Sequence, residues 1–446
     1  MVALWKRSLV RALNLPLAWS SRLFRVALVI AGLYALCRLV IHLLLMAGLV
    51  APDVPILSDL HIYLDAAARL RAQEELYCVA DPECLANPEM VWSVYPYSPA
   101  FALALAPLLA LPAGLLAAGS TLLHVVVYAL LYAGWWRIFT RTGLERARQT
   151  LAYTLPLWLL FSAFWSDLGY GNIYVAMALL ATLLIEAVLE ERLGWATLWL
   201  VLILALKPHW AFAAAVPLLL GRYRFFLKLV GLTVLGYVAL AGLTILAVGP
   251  DYGLNQYANY YRFLAWLPSH YAWRLAPDAL GYNHSLRALL HYALGADVQA
   301  TRTALAARVV VLLPLLMVTA RRLTHPTRKP GRETSALTLD LAFALYAGAW
   351  LWLDVVWEWS LAVAVFAYLL STLETRGERG LAWAAFLPYA LLDVWRLAAF
   401  ALLGDSTLLR QRFFLILADV SVYVPLVLLL LLTFYGLLVR RLWQRE

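Results

Sequence analysis

The sequence predicts an all-α, polytopic integral membrane protein, and its composition provides the main support for this prediction. The chain has 446 residues, of which 64% are hydrophobic and only 14% are charged, and its mean hydropathy is +0.78. Apolar stretches near the length that spans a bilayer, about 20 residues of helix, recur along the chain. The formal net charge of +9 comes from short basic clusters between these stretches. Membrane topology explains this charge better than nucleic-acid binding, so we expect no nucleic-acid partner.

The apolar pattern predicts one integral-membrane domain over residues 1–446, with about 12 transmembrane helices, some of them short or re-entrant. Helices are predicted at 26–48, 114–136, 150–165, 172–190, 194–206, 210–221, 229–248, 303–320, 336–353, 358–373, 381–402 and 414–438. The segments 194–206 and 210–221 are short and meet at LKPHW, which predicts a hairpin that dips into the membrane. The apolar segment at 99–112 is predicted to lie along the outer surface or to re-enter.

Basic clusters also predict the orientation of the chain. When these clusters are placed in the cytoplasm, the N- and C-termini are cytoplasmic and the loops at about 51–98 and 250–302 are extracytoplasmic. The extracytoplasmic segments carry most of the unusual polar and aromatic motifs, which indicates that the chemistry takes place on that side. Cys78 and Cys84 lie close together in the first loop, and this spacing predicts a disulfide if the loop is outside the cytoplasm.

The stretch LSDLHIYLDAA, at residues 57–67, contains an acidic residue that has two interpretations. Asp59 stands at the start of a predicted amphipathic helix, where an aspartate commonly caps the helix. A carboxylate at the membrane surface beside apolar walls also suits a general base that takes a proton from a hydroxyl. Tyr63 lies one helical turn further on the same face, whereas Asp65 lies on another face and is expected to be solvated.

Six motifs in order give the chain a resemblance to a known family. They are Asp59 with Tyr63, YPYSPAFALALAPL, GNIYVAMALL, LKPHW, YNHSL and VVWEWSL. This series resembles glycosyltransferase family 87, the polyprenol-phosphate-dependent mannosyltransferase family of the GT-C class. The resemblance implies a GT-C fold, a polyprenyl-phosphate sugar as donor and a lipid or glycan as acceptor. It also implies inverting transfer, with mannose as the expected sugar, in the cytoplasmic (inner) membrane with the active site on the extracytoplasmic side.

The resemblance further implies roles for individual residues. One carboxylate suffices as general base, because a lipid phosphate leaves without a protein acid, and Asp59 takes this role. The leaving phosphate needs cationic or hydrogen-bonding groups. The candidates for binding it are Lys207, His209, His284 and Arg287. The substrate cavity is expected to include His61, Tyr63, Tyr95, Tyr97, Asn172, Asn283, Trp357 and Glu358. No metal and no other cofactor is expected.

Several alternatives remain open at this point. Lys207 could equally be a lysine that snorkels to the membrane interface instead of binding phosphate. Arg287 could be an ordinary loop arginine. Asn172 is also a candidate cap for the helix that follows it. The family often has a histidine after its WE pair, where this chain has Trp359, so another residue would have to replace it. At the level of the whole protein, the alternatives are a transporter or flippase of lipid-linked sugars and a non-catalytic membrane partner of another enzyme.

Overall fold

The fold is a bundle of helices in a computed structural model that describes residues 16–49, 57–77, 95–270, 283–295, 298–324, 332–403 and 425–445. Within these residues the regular structure is helical, and no strand is formed. The α-helices are α1 Pro16–Ser20, α2 Arg22–Met46, α3 Ser58–Ala72, α4 Pro99–Leu105, α5 Ala113–Arg141, α6 Glu145–Tyr153, α7 Leu155–Leu160, α8 Ser162–Tyr170, α9 Tyr174–Leu189, α10 Leu193–Leu206, α11 Val216–Leu219, α12 Tyr223–Val248, α13 Pro250–His270, α14 Leu286–Leu294, α15 Val298–Thr324, α16 Arg332–Trp352, α17 Ala362–Thr372, α18 Arg376–Ala390, α19 Leu392–Leu403 and α20 Leu426–Gln444. Short 3₁₀ helices occupy Ala106–Ala110, Pro208–Trp210 and Phe212–Ala215.

Six helices of the described residues are long and apolar enough to cross a membrane, and eight spans result if two bent helix pairs each count as one. The six lie in α2, α5, α12, α15, α16 and α20, and the bent pairs are α7–α8 with α9 and α18 with α19. About twelve spans were expected from the apolar pattern. The difference arises because predicted spans such as 194–206 and 358–373 form the shorter helices α10 and α17.

Outer and inner helices differ in what their apolar side chains contact. On α2 and α12, leucines such as Leu33 and Leu235 are exposed, with 62% and 67% of their surface accessible. By contrast, α17 is buried along most of its length and packs against α6, α18 and α20. Exposed leucines on long helices are costly in water but stable in hydrocarbon, so the outer helices have the surface of membrane-spanning helices.

Ion pairs mark one end of the bundle, here called the arginine-rich end. Arg141, the last residue of α5, contacts Glu190, which follows the end of α9, at 2.6 Å. Arg441 of α20 contacts Asp340 of α16 at 3.1 Å. Because α9 runs away from the turn that holds Asn172, that turn lies at the opposite end of the helix. We refer to the opposite end of the bundle as the site end.

Helices occupy much of the two segments that were expected to be extracytoplasmic loops. The first segment, 51–98, contains α3, and the second, 250–302, contains α13, α14 and the start of α15. Three amide side chains of α13 donate hydrogen bonds to the Glu75 carboxylate at 3.0–3.2 Å, which attaches α13 to the end of α3. Cys78 and Cys84 lie outside the described residues, so their disulfide stays a prediction.

At the other end of the chain, α20 continues to Gln444, beyond the predicted limit at residue 438.

Candidate active site

Asp59 lies in the first turn of α3 at the site end of the bundle. The N-cap residue of α3 is Leu57, which has a left-handed backbone (φ 53°) and no capping side chain. The Leu57 amide donates to the carbonyl of Gly169 at 2.9 Å, which attaches the start of α3 to the end of α8. The Nδ2 group of Asn172 donates a hydrogen bond to the Asp59 carboxylate. Asp59 is therefore joined to the turn between α8 and α9.

Asn172 is held in one orientation by its other hydrogen bonds. Its Oδ1 atom accepts from the Tyr63 hydroxyl at 3.1 Å and from the Ile173 amide at 2.7 Å. Because both of these groups are donors, the amide oxygen must face them and the Nδ2 group must face Asp59. The carbonyl of Asn172 also contacts Nε2 of His124 at 2.6 Å. The amide donor to Asp59 is therefore preorganised by two side chains, Tyr63 of α3 and His124 of α5, and by the backbone amide of Ile173.

Gly171 allows this turn to approach α3 closely. Its φ is +65°, in the left-handed region where a Cβ is unfavourable. A Cβ built on Gly171 would lie 3.0 Å from the Cβ of Leu60 and 3.1 Å from a methyl carbon of Leu57. The glycine at this position therefore permits both the turn and the contact between Asn172 and Asp59.

Asp167 caps α9, a role that was considered for Asn172. Its carboxylate accepts the amide N–H groups of Tyr174 at 3.0 Å and Val175 at 2.9 Å. The side chain is buried, and Nε2 of His124 lies 3.8 Å from it. Asp167 was not among the sequence-predicted site residues. The signal that could have indicated it is an acidic residue shortly before a helix inside an otherwise apolar segment.

Lys207 is buried beside this turn, at the end of α10. Only 8% of its surface is exposed, and its Nζ atom lies 3.8 Å from the ring centre of Tyr174 and 5.1 Å from that of Tyr97. Burial lowers the pKa of the Lys207 ammonium to about 8, and three nearby carboxylates act in the opposite direction. These carboxylates belong to Asp59, Asp167 and Glu358. The ammonium points into the protein, so the snorkelling interpretation does not describe its position.

Glu358 completes the group of charged side chains around Lys207. The Ser166 hydroxyl of α8 donates a hydrogen bond to its Oε1 atom. Burial is the main cause that raises the pKa of Glu358 to about 7, and the negative charges of Asp167 and Asp59 add to this effect. At neutral pH the side chain is therefore close to its midpoint of protonation, and a small change in local charge can alter its state.

The segment that carries Glu358 is held by the YNHSL motif. Asn283 donates through Nδ2 to the carbonyl of Asp354 at 2.7 Å, and its Oδ1 accepts from the Val356 amide at 3.1 Å. The His284 amide donates to the carbonyl of Val356 at 2.8 Å. Burial lowers the pKa of the His284 imidazole to about 3, so at neutral pH it is uncharged and binds an anion only by donating an N–H group. Two motifs far apart in sequence therefore form one unit of the site end.

Some predicted site residues lie apart from the Asp59–Lys207–Glu358 cluster. His61 is exposed on α3, and Asp65 on the same helix is exposed and forms an ion pair with Arg69 at 2.8 Å. Tyr95 is buried in an aromatic cluster, and its hydroxyl donates to the carbonyl of Ser98 at 3.0 Å. Its ring centre lies 5.5 Å from that of Tyr97, and its expected position in the substrate cavity stays a prediction.

The remaining predicted residues divide between the cluster and the core. Tyr97 is buried, and its hydroxyl lies 2.9 Å from that of Tyr63, so it belongs to the site. His209 is half-buried, with its ring centre 5.7 Å from that of Trp350, and Trp357 is partly buried beside Glu358. Trp359, at the position of the family histidine, is completely buried and packs against Phe434.

Within the described ranges, no group of three His, Cys, Asp or Glu side chains is arranged to hold a metal ion. The expectation that the enzyme works without a metal stays a prediction.

The fold and this cluster define a helical membrane protein with a buried, charged site at one end. The model of glycosyltransferase family 87 matches residues 95–347, which is more than half of the chain, so the protein belongs to that family and is a membrane glycosyltransferase. Asp59 and Glu358 lie outside the matched range, and their contacts with Asn172 and Ser166 connect them to it. No curated protein and no solved structure matches the chain.

Proposed function

We propose that this protein is an inverting glycosyltransferase that moves a sugar from a polyprenyl-phosphate donor to a hydroxyl of a lipid or glycan acceptor. Mannose is the sugar that the family resemblance implies. The observation that carries the proposal is the juxtaposition of a buried lysine ammonium and an amide-bound carboxylate at the site end. The departing phosphate requires a positive charge, which the Lys207 ammonium supplies. The hydroxyl nucleophile requires a base, which the Asp59 carboxylate supplies.

Asp59 acts as the general base in this proposal. Its carboxylate takes the proton of the acceptor hydroxyl while the hydroxyl oxygen forms a bond to the anomeric carbon of the sugar. The bond between that carbon and the phosphate oxygen breaks, and polyprenyl phosphate leaves from the opposite face of the sugar ring. The proton on Asp59 then passes to water. Asn172 donates one hydrogen bond to the carboxylate, and a carboxylate offers about four acceptor sites, so this bond orients Asp59 without exhausting its acceptor capacity.

Lys207 balances the negative charge that develops on the leaving phosphate. Its ammonium is surrounded by the rings of Tyr174 and Tyr97, which hold the cation without neutralising its charge. Within the described residues, no carboxylate forms an ion pair with it at 4 Å or less. An anionic oxygen that enters the site therefore gains a direct, partly desolvated charge interaction, which is stronger there than in water.

The site end is proposed to face the extracytoplasmic side of the cytoplasmic membrane. The density of arginines at the opposite end supports this orientation, because Lys and Arg residues are enriched on the cytoplasmic side of membrane proteins. Cys78 and Cys84 provide a test, since the segment that contains them joins α3 to α4. In intact cells we expect an impermeant maleimide to label them only after reduction. Ready labelling without reductant would contradict the disulfide, and labelling only after lysis would contradict the orientation.

A transfer assay with purified protein tests the proposed reaction. The protein is incubated with radiolabelled polyprenyl-phosphate mannose and a membrane lipid extract, and the anomeric configuration of the product is determined by NMR. We expect label in an acceptor lipid or glycan with inverted configuration at the anomeric carbon. Retention of configuration would overturn the mechanism. Movement of the donor across proteoliposome membranes without any transfer would instead identify a flippase.

A further inference from the structure

Two buried arginines at the site end share one carboxylate. Arg308 of α15 lies 2.5 Å from Oδ1 of Asp354, and Arg287 of α14 lies 3.5 Å from Oδ2 of the same residue. The Arg308 side chain is 8% exposed and the Arg287 side chain 13% exposed. Among the residues that the structure describes, these three side chains bring two positive charges and one negative charge into a largely desolvated position.

The hydrogen bonds of these arginines are incomplete. Within the described part of the chain, the Nε atoms of Arg287 and Arg308 are buried and have no acceptor. The 3.5 Å contact from Arg287 to Asp354 is at ion-pair distance and is longer than an ordinary N–H···O hydrogen bond. Buried donors are almost always hydrogen-bonded, and an exception usually indicates a missing water, ion or ligand. A bound anion would supply acceptors for these two Nε atoms and would balance the charge of the second arginine.

The arginine pair is connected to the proposed catalytic cluster by the segment that ends at Glu358. Asp354 and Glu358 are four positions apart (358 minus 354), so their Cα atoms are separated by at most about 14 Å. Asn283 holds this segment through hydrogen bonds to Asp354 and Val356. The arginine pair is therefore joined through this short segment to Glu358, one of the carboxylates near Lys207, but is built from different helices.

We propose that Arg287 and Arg308 form a second anion-binding site, which binds the phosphate of a lipid substrate. This inference rests on the proposed function, since it assumes that lipid-linked phosphates enter the site end. It goes beyond the role of Arg287 expected from sequence, because Arg308 and the shared Asp354 make the pair a unit distinct from Lys207. A planar guanidinium pair suits a phosphate, whose oxygens accept bidentate hydrogen bonds, and the phosphate belongs to either the donor or an anionic acceptor lipid.

Binding is measured first, without any turnover. In the Asp59→Asn background, the affinity of the detergent-solubilised protein for dodecyl phosphate is determined by isothermal titration calorimetry, with dodecanol as the uncharged control. Adding Arg287→Gln removes a cation whose ion pair with Asp354, at 3.5 Å, is the longer of the two in this group. We expect about tenfold to hundredfold weaker binding, the effect of one lost charge-assisted hydrogen bond. Arg302→Gln, on an exposed position of α15, is the matched control and should leave binding unchanged.

Arg308→Lys gives a second, independent variant. Lysine retains the positive charge beside Asp354, so the fold is preserved, but it lacks the Nε donor and the planar fork of N–H groups that a guanidinium offers to a phosphate. Transfer kinetics with Arg287→Gln and Arg308→Lys then identify the source of the phosphate. A raised KM for polyprenyl-phosphate mannose assigns it to the donor, and a raised KM for the lipid extract assigns it to the acceptor.

The outcomes of the two assays are separable. Dodecyl phosphate that binds all variants equally, together with unchanged KM values for both substrates, would overturn the second anion site. An absence of transfer in the unmodified protein, with dodecyl phosphate binding still sensitive to Arg287→Gln, would overturn the proposed reaction while supporting the anion site.

Discussion

Replacing Asp59 by Asn separates a catalytic role from a structural one. In the structure Asp59 accepts a hydrogen bond from Asn172, and the amide oxygen of an asparagine can still accept it. A hydrogen bond to a charged group contributes about 1.5–3 kcal/mol and a neutral one about 0.5–1.5 kcal/mol, so folding should lose only about 1 kcal/mol. Loss of a general base typically costs 10²- to 10⁴-fold in rate, which corresponds to about 3–5 kcal/mol in the activation barrier. The two effects differ enough to be measured separately.

The assay compares transfer from radiolabelled polyprenyl-phosphate mannose with the thermal unfolding of the same preparation. We expect Asp59→Asn to unfold within a few degrees of the parent and to transfer at no more than about one-hundredth of its rate. Asp65→Asn is the matched control, because Asp65 is exposed and only pairs with Arg69 along the same helix. Turnover of Asp59→Asn within threefold of the parent would refute the assignment of the base.

Three further variants test the surroundings of the base. Tyr63→Phe removes the hydroxyl that holds Asn172, so we expect kcat to fall about tenfold with little change in KM, and unchanged kcat would argue against preorganisation. The Lys207 ammonium has a pKa of about 8, so the transfer rate should decline as the pH rises above that value. Lys207→Arg should abolish this decline, because a guanidinium stays protonated at alkaline pH. Gly171→Ala places a Cβ at φ +65° against α3, so we expect the free energy of unfolding to fall by about 1–3 kcal/mol. Gly169→Ala is the control: a Cβ there has open space around it, so the free energy of unfolding should fall by less than about 1 kcal/mol.

Helix positions were predictable where a segment is apolar and uninterrupted. The predicted helices at 194–206 and 229–248 end where α10 and α12 end, because the polar or glycine residue that follows stops each of them. The bend of 117° between α7–α8 and α9 was not predictable. Gly171 lies at this bend and packs closely against α3, and no local pattern in the sequence encodes that contact.

The candidate site was only partly predictable for the same reason. Asp59 and Lys207 were indicated by local features, an acid after the first helix and a lysine between apolar segments. Arg308 was missed because its partner Asp354 lies elsewhere in the chain. Asp167 was missed although the helix that it caps begins only seven positions later. An available signal was overlooked for Arg308, since an ionisable residue lies inside the predicted helix 303–320.

The capping of α9 by Asp167 determines how an anion can be recognised at the site end. Many proteins bind phosphate at the amino end of a helix, where exposed N–H groups and the helix macrodipole supply a fixed partial positive charge. In this protein two of those N–H groups are already bound to a carboxylate. At this helix end, positive charge for an anion must therefore come from side chains. Unlike a backbone site, a site built from side chains can be altered by single substitutions that leave the fold intact.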